Sequence, residues 1–430
     1  MNAAIRRTGL ILATMTGAFH CSNTVFAATD YRDTLDRAVS APDEADASLQ
    51  RDRLDFFVAD ALAYDSNLFR LPASITDLTT VVGPNASRKD YSNSASAGLD
   101  AQWLVGKRQS IDLDLRVDDN RFHRNDNLNN ISSNDRLVWN WGVGGVITGQ
   151  LGADYNRYLA SFVNTDVYRR NVINQSEYFA AARFQPGPRW ALFGGLLQAN
   201  NSLSAAQSTV NNSHRKSVDL GAELATSAAN TIGFDYRYTD SRYPNSYILN
   251  GISFDPDYRE DRARILAKYV VSEKTVIDAS AGYLKRAYPN TVIGSFSGDI
   301  WRASLQWQPT PKTQFVVAGW RQLQADLTAD TDYYVSRGGS ISPVWIASEK
   351  VSLSFLVSRD DRSYIGSNPG AVITSQARRD AVTTEQGTIT YTPIRALILV
   401  FSYGHEHRGS NQAIFQYNDD RASAGLTFKF

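Results

Sequence analysis

The chain has 430 residues, with 44 basic and 44 acidic side chains and one cysteine. That balance offers no basic excess for a nucleic-acid partner, and a single thiol supplies neither a disulfide framework nor a thiolate metal site. Mean hydropathy is −0.33, and no apolar run reaches the length of a membrane helix, about 18 residues, so a helical membrane protein is excluded. The hydrophobic residues, 43% of the chain, are instead spread in alternation.

Residues 1–27 read as a targeting segment. Arg6 and Arg7 form a basic start, Leu10 to Phe19 a short apolar stretch, and Val25, Phe26 and Ala27 a cleavage site before Ala28. Cys21 follows His20, where lipidation needs a small residue, so a lipoprotein is not expected. Cleavage would remove the cysteine and leave 42 basic against 44 acidic residues, a net charge of −2. A thiol-free exported chain avoids stray disulfides in an oxidising periplasm. Residues 28–53 read as a short, charged periplasmic lead, with room for a short helix around Tyr31 to Val39 but not for a separate plug domain.

From Leu54 the chain alternates with period two, which puts successive side chains on opposite faces of a strand. The first strand is Leu54 to Phe69. In the second, Tyr91 to Trp103, the residues Ala95, Ala97, Leu99, Ala101 and Trp103 share one face. The third turns Ile111, Leu113, Leu115 and Val117 to lipid, and the fourth Leu137, Trp139, Trp141 and Val143. Further strands follow at Leu151–Phe162, Ser176–Gln185, Trp190–Gln198, Arg215–Ala225, Thr231–Arg242, Tyr258–Val271, Thr275–Tyr288, Ser297–Gln308 and Thr313–Asp326. The last are Tyr333–Ala347, Val351–Ile365, Arg379–Thr392, Arg395–Arg408 and Asn418–Phe430. Short connections such as Pro186–Gly187–Pro188 and Ser272–Glu273–Lys274 alternate with long ones such as Leu71–Arg88, Asn200–His214, Pro244–Asp257 and Gly366–Arg378. Short turns inside and long loops outside mark an outer-membrane barrel.

The fold class is therefore all-β: a transmembrane, antiparallel, up-and-down barrel over 54–430, with about eighteen strands. Sixteen is the alternative, because Tyr333–Ala347 holds Gly338, Gly339 and Pro343, and Arg379–Thr392 alternates poorly. Aromatic girdles are expected from Trp103, Trp190, Trp307, Tyr391 and Phe430 at the inner rim, and from Phe122, Tyr178, Tyr238, Tyr283 and Tyr403 at the outer rim.

Alternation also names the wall of the lumen. Asp100, Asp112, Asp114, Asp118, Asp154, Asp219, Glu223 and Asp235 are its acids. Arg262, Arg264, Lys268 and Arg302 are bases on later strands, and Arg116, Arg183 and Arg237 interrupt the acids. Opposed charges on two sides of a pore would set up a transverse field that favours polar solutes. Two loops carry enough apolar residues to fold back over the mouth: Leu71–Arg88, with Ile75, Leu78, Val81 and Val82, and Pro244–Asp257. No catalytic constellation, metal set or cofactor motif is evident; His405 and His407 share a strand face without a third ligand.

The end of the first strand reads Tyr64-Asp65-Ser66-Asn67-Leu68-Phe69-Arg70. It resembles the Tyr-Asp-x-Asn-Leu-x-Arg signature of the EpsL-type outer-membrane proteins, grouped with the β-barrel porins. The motif residues are Tyr64, Asp65, Asn67, Leu68 and Arg70. The resemblance implies a non-enzymatic channel that exports an exopolysaccharide. Its surroundings would be outer-membrane lipid and lipopolysaccharide, with a periplasmic or inner-membrane export complex docked through Ala28–Arg53. It supplies no catalytic residues. A porin for small polar solutes, and a structural or adhesive barrel with a blocked lumen, are the alternatives.

Overall fold

The structure, a computed structural model, describes residues 36, 52–163, 165, 167–227, 229–245, 247–249, 252–254, 256–289, 295–325, 333–365 and 377–430. The targeting segment and nearly all of the lead lie outside the described residues. The strands in chain order begin with β1 (Arg53–Asp65), β2 (Asp90–Leu104), β3 (Ser110–Phe122), β4 (Asn130–Val143), β5 (Ile147–Leu159), β6 (Val172–Phe184) and β7 (Trp190–Leu203). Next come β8 (Ser213–Ala225), β9 (Thr231–Arg242), β10 (Tyr247–Leu249), β11 (Ile252–Phe254), β12 (Tyr258–Ser272), β13 (Thr275–Ala287) and β14 (Phe296–Thr310). The set ends with β15 (Thr313–Ala325), β16 (Tyr333–Ile346), β17 (Val351–Ile365), β18 (Arg379–Ile394), β19 (Leu397–Ser410) and β20 (Tyr417–Lys429).

Eighteen of these form one antiparallel sheet, each strand beside its neighbour in sequence, and β10 with β11 make a separate hairpin in the connection from β9 to β12. The sheet closes where β1 pairs β20, from Phe57 opposite Lys429 to Asp65 opposite Arg421. Closure leaves no unpaired strand edge, which is the condition for a sheet to stand in hydrocarbon. Both of the irregular strands belong to the wall. β16 keeps its pairing with β17 on either side of Pro343, and β18 is paired along its length by β17 and β19.

The outward row is apolar and open to its surroundings, as shown by Leu62, Leu220 and Ile265, and by Leu426, Phe428 and Phe430 at the C-terminus. The inward row is polar, with an apolar patch of Val138, Phe179, Ala181, Phe193 and Leu197 against which Leu266 packs. Two inward rings lie over glycines directly opposite them: Phe193 over Gly221 and Phe179 over Gly152. A Cβ on Gly221 would stand 2.2 Å from the Phe193 ring, so hydrogen is the only side chain that lets the ring lie flat there.

Three expectations change. The first strand ends at Asp65, so Leu68 and Phe69 are not on a strand face; the backbone turns in at Arg70, whose φ is 56°. β5 likewise ends at Leu159, before Phe162. Phe122 belongs to the inward row of β3 and packs against a loop cluster, so it is not part of the outer girdle.

Candidate functional site

The site is built from the outer rim inward. At the rim, the motif residues tie the first strand to the last. Asn67 donates through Nδ2 to the carbonyls of Leu71 (2.8 Å) and Asn418 (3.0 Å), and its Oδ1 accepts from the Leu71 amide at 3.1 Å. Its own amide donates to Asp419 on β20 at 3.1 Å. Arg70 sits between Asp65 (2.9 Å) and Asp419 (3.1 Å), both inward. Burial alone would lower the Arg70 value; Asp65 and Asp419 outweigh it and hold the guanidinium firmly charged. Arg421 joins Asp419 to Glu406, and Tyr417 donates its hydroxyl to Glu406 at 2.7 Å. Tyr64 points the other way and packs against Tyr91, with ring centroids 5.0 Å apart. The motif is thus a seam lock that also turns the following loop into the barrel.

That loop meets a second one. Leu68, Phe69 and Leu71 are buried with Leu128 and Phe162, and Ile75, Leu78, Val82 and Tyr168 pack around them. Phe69 and Phe162 have ring centroids 5.0 Å apart, and Tyr168 lies 6.5 Å from each. The second loop, 160–171, is pinched at its base, where the Ala160 amide donates to the Asn171 carbonyl at 2.7 Å. Its far side reaches β19: Arg408 donates through Nη1 to the Val163 carbonyl at 2.6 Å. Five strands (β20, β1, β2, β3 and β4) separate β19 from β5 around the wall, so the contact spans the interior. Arg408 is 1% exposed, is also bonded to the Tyr364 hydroxyl at 2.7 Å, and pairs with Asp380, which Arg378 supports at 3.0 Å.

Deeper in the lumen lies a cluster of guanidiniums. Arg237 on β9 donates through Nε to Asp219 on β8 at 2.8 Å, and Arg264 on β12 donates through Nε to Asp235 at 3.0 Å. Arg262 lies beside them, 3.7 Å from Asp219 and 3.6 Å from Asp235. Into this cluster comes Asp36, the one described residue before Asp52. Its Oδ1 accepts from Arg237 (2.6 Å), Arg262 (3.0 Å) and Arg264 (3.0 Å), and its Oδ2 from Arg264 (3.2 Å). Burial would raise this carboxyl; Arg262, Arg237 and Arg264 more than offset it and hold it well below the usual carboxylate range. Asp36, Asp219 and Asp235 bring three oxygens within 4.8 Å of one another, but the guanidiniums already fill the place of a cation. The lead was expected to stand in the periplasm; Asp36 stands inside the wall.

All of the wall residues named from sequence lie on inward rows. Asp100, Asp114 and Asp154 form one cross-strand row with Arg136 and Glu177. Arg136 bonds Asp154 at 2.7 Å, while Asp112 accepts from Gln102 at 2.7 Å. Arg116 pairs with Asp118 at 2.7 Å and lies 5.9 Å from the Phe57 ring; Arg183 pairs with Glu223. Lys268 and Arg302 stand lower on β12 and β14. Arg116, Arg136 and Arg183 are each neutralised by a neighbouring carboxylate, where a transverse field had been expected, because such partners lie closer than the opposite wall. His405 and His407 face outward, bonded to Asp420 (2.9 Å) and Asn418 (2.6 Å). Asp36, loop 160–171, Glu406, Asp380 and Arg408 were not foreseen. The alternating row Ser402, Gly404, Glu406, Arg408 carried the signal for β19; Phe162 and Tyr168 carried it for the loop, whose strand was drawn three residues too long. The Pro244–Asp257 loop contains the β10–β11 hairpin, and its side chains over 246–255 lie outside the described residues.

Residues 267–430 match the model of a family described as "Putative beta-barrel porin 2". No curated protein matches. Among solved structures, the chain is similar to OccK2 (OpdF) of Pseudomonas aeruginosa, solved in complex with glucuronate. That match has 8% identity and a TM-score of 0.47, covering 88% of this chain and 98% of that one. A BenF-like porin from Pseudomonas fluorescens Pf-5 aligns at 10% identity and TM-score 0.47, covering 89% and 100%. The siderophore receptor PirA of Pseudomonas aeruginosa aligns at 10% and 0.41, covering 88% and 80%. A closed eighteen-stranded antiparallel wall with an apolar exterior makes this protein a transmembrane β-barrel of the bacterial outer membrane, whose C-terminal part, residues 267–430, is similar to that porin family.

Proposed function

We propose that the protein is a substrate-selective channel for small polar solutes. One observation carries this reading: Arg408 holds loop 160–171 across the mouth through the Val163 carbonyl. Below it Asp219, Asp235 and Arg237 are buried, so the passage shields much of its own wall from water. Such a cross-section suits solutes passing singly, selected by size and polar contacts. The test is liposome swelling with sugars of graded size, beside planar-bilayer recording of the purified protein. Small conductance steps and a sharp size cut-off are expected. A wide ohmic pore that admits large dextrans would refute the reading, and so would a complete lack of conductance, which would favour a blocked structural or adhesive barrel.

A second reading, export of an exopolysaccharide, is favoured by the Tyr64-Asp65-Ser66-Asn67-Leu68-Phe69-Arg70 motif. Synthesis or an export complex in the periplasm or inner membrane would drive the polymer, and both loops would have to swing clear. A deletion strain separates the readings. Loss of secreted polymer with normal small-solute uptake supports export; the reverse supports the selective channel.

A further inference from the structure

We infer that Arg237, Arg262 and Arg264 form a carboxylate-binding site in the lumen, and that the chain's own Asp36 is a latch occupying it in place of a solute. The inference rests on the channel reading and names the solute class: small molecules bearing one carboxylate.

The wall at this level contributes three guanidiniums against two carboxylates, Asp219 and Asp235, which leaves one positive charge over. The balancing charge comes from outside the wall. Asp36 precedes β1 by seventeen positions and belongs to no strand. Its carboxylate is received as a free one would be. Arg264 grips both oxygens with its two terminal nitrogens, while Arg237 and Arg262 converge on Oδ1. Forked guanidiniums on a carboxylate are the pairing that gives both strength and orientation. The arginines are held ready from behind: Asp219 takes the Nε of Arg237 and Asp235 that of Arg264. The Nε of Arg262 is buried with no hydrogen-bond partner among the described residues, so the site keeps a spare donor beside the one Asp36 uses. A strut meant only to brace the barrel would need none of this convergence from two strands.

The probe is sodium gluconate, with glucose as a neutral molecule of similar size. Removing a tethered competitor raises the apparent affinity by the inverse of the fraction of sites it leaves free. In detergent, Asp36→Ala and the shape-preserving Asp36→Asn should therefore bind gluconate about tenfold or more tightly than wild type, read by calorimetry. Neither should gain affinity for glucose. Adding Arg262→Gln to Asp36→Asn should abolish the gain. In bilayers, Asp36→Asn should open more often than wild type, and gluconate should block it. Equal gluconate binding by wild type and both Asp36 variants would overturn the latch, and so would an equal gain for glucose. If gluconate binding tightens as expected while no variant conducts, the site stands and the channel reading falls.

Discussion

Replacing Arg408 by methionine should unpin the loop that crosses the mouth. The change keeps most of the stem and removes the guanidinium that donates to the Val163 carbonyl at 2.6 Å. A hydrogen bond from a charged donor contributes about 1.5–3 kcal/mol. At ~1.4 kcal/mol per factor of ten, losing it should shift the loop toward its open position by about 10- to 100-fold. The shift is bounded because the Phe69–Phe162 contact, with centroids 5.0 Å apart, still holds the loop at its other side. Asp380 is not stranded, since Arg378 remains 3.0 Å away. The assay is single-channel recording of open probability, with heat-modifiable migration on gels to show that the barrel is intact. Lys268→Met is the control, a cation lost from the same lumen but far from the loop. A folded Arg408→Met protein whose open probability matches wild type would refute the assignment of loop 160–171 as the constriction.

Four further outcomes are expected. Asn67→Ala removes the bonds to Leu71 and Asn418 that lock the seam, and should lower the barrel's melting temperature by the equivalent of about 1–3 kcal/mol; unchanged melting would show that the motif has no part in closure. Gly221→Val would drive a side chain into the Phe193 ring and toward the Phe234 carbonyl at 2.6 Å, costing about 1–3 kcal/mol in the same melt; a neutral result would mean the ring does not lie there. Leu220→Arg puts a charge on the lipid face where the leucine is 62% exposed, and should reduce folding into vesicles by about 2–4 kcal/mol, whereas Asn134→Arg, on the lumen side, should fold normally. The Asp36 contact should be insensitive to mild acid. The groups facing it are Asp219 on β8, Asp235 and Arg237 on β9, and Arg262 and Arg264 on β12; its carboxyl is held below the usual range, so the contact is fully present above the free-carboxylate value and is lost only as pH falls through the lowered one. The conductance difference between wild type and Asp36→Asn should therefore persist from neutrality to about pH 4; collapse of that difference by about pH 5 would contradict the arginine cradle.

The amino-acid order alone determined the wall. A period of two is a local property, so each strand declares its lipid face without knowing its neighbours: Ala422, Ala424, Leu426 and Phe428 read as lipid-facing in sequence and are so in the barrel. Charges on the opposite row, from Asp100 to Arg302, were legible for the same reason, and so was the polar hold of Asn67 at a strand end. What fills the barrel had no such signature. Arg408 meets Val163 across 245 positions, and Asp36 meets Arg237 across 201. Contacts of that kind have no period; they exist only once eighteen strands have closed and brought opposite walls within reach of a loop or an arginine. Strand ends suffered likewise: Phe69 and Phe162 look like the last lipid-facing residues of their strands until the tertiary structure offers them each other. Local alternation therefore set the cylinder, and long-range packing inside it decided where the passage narrows.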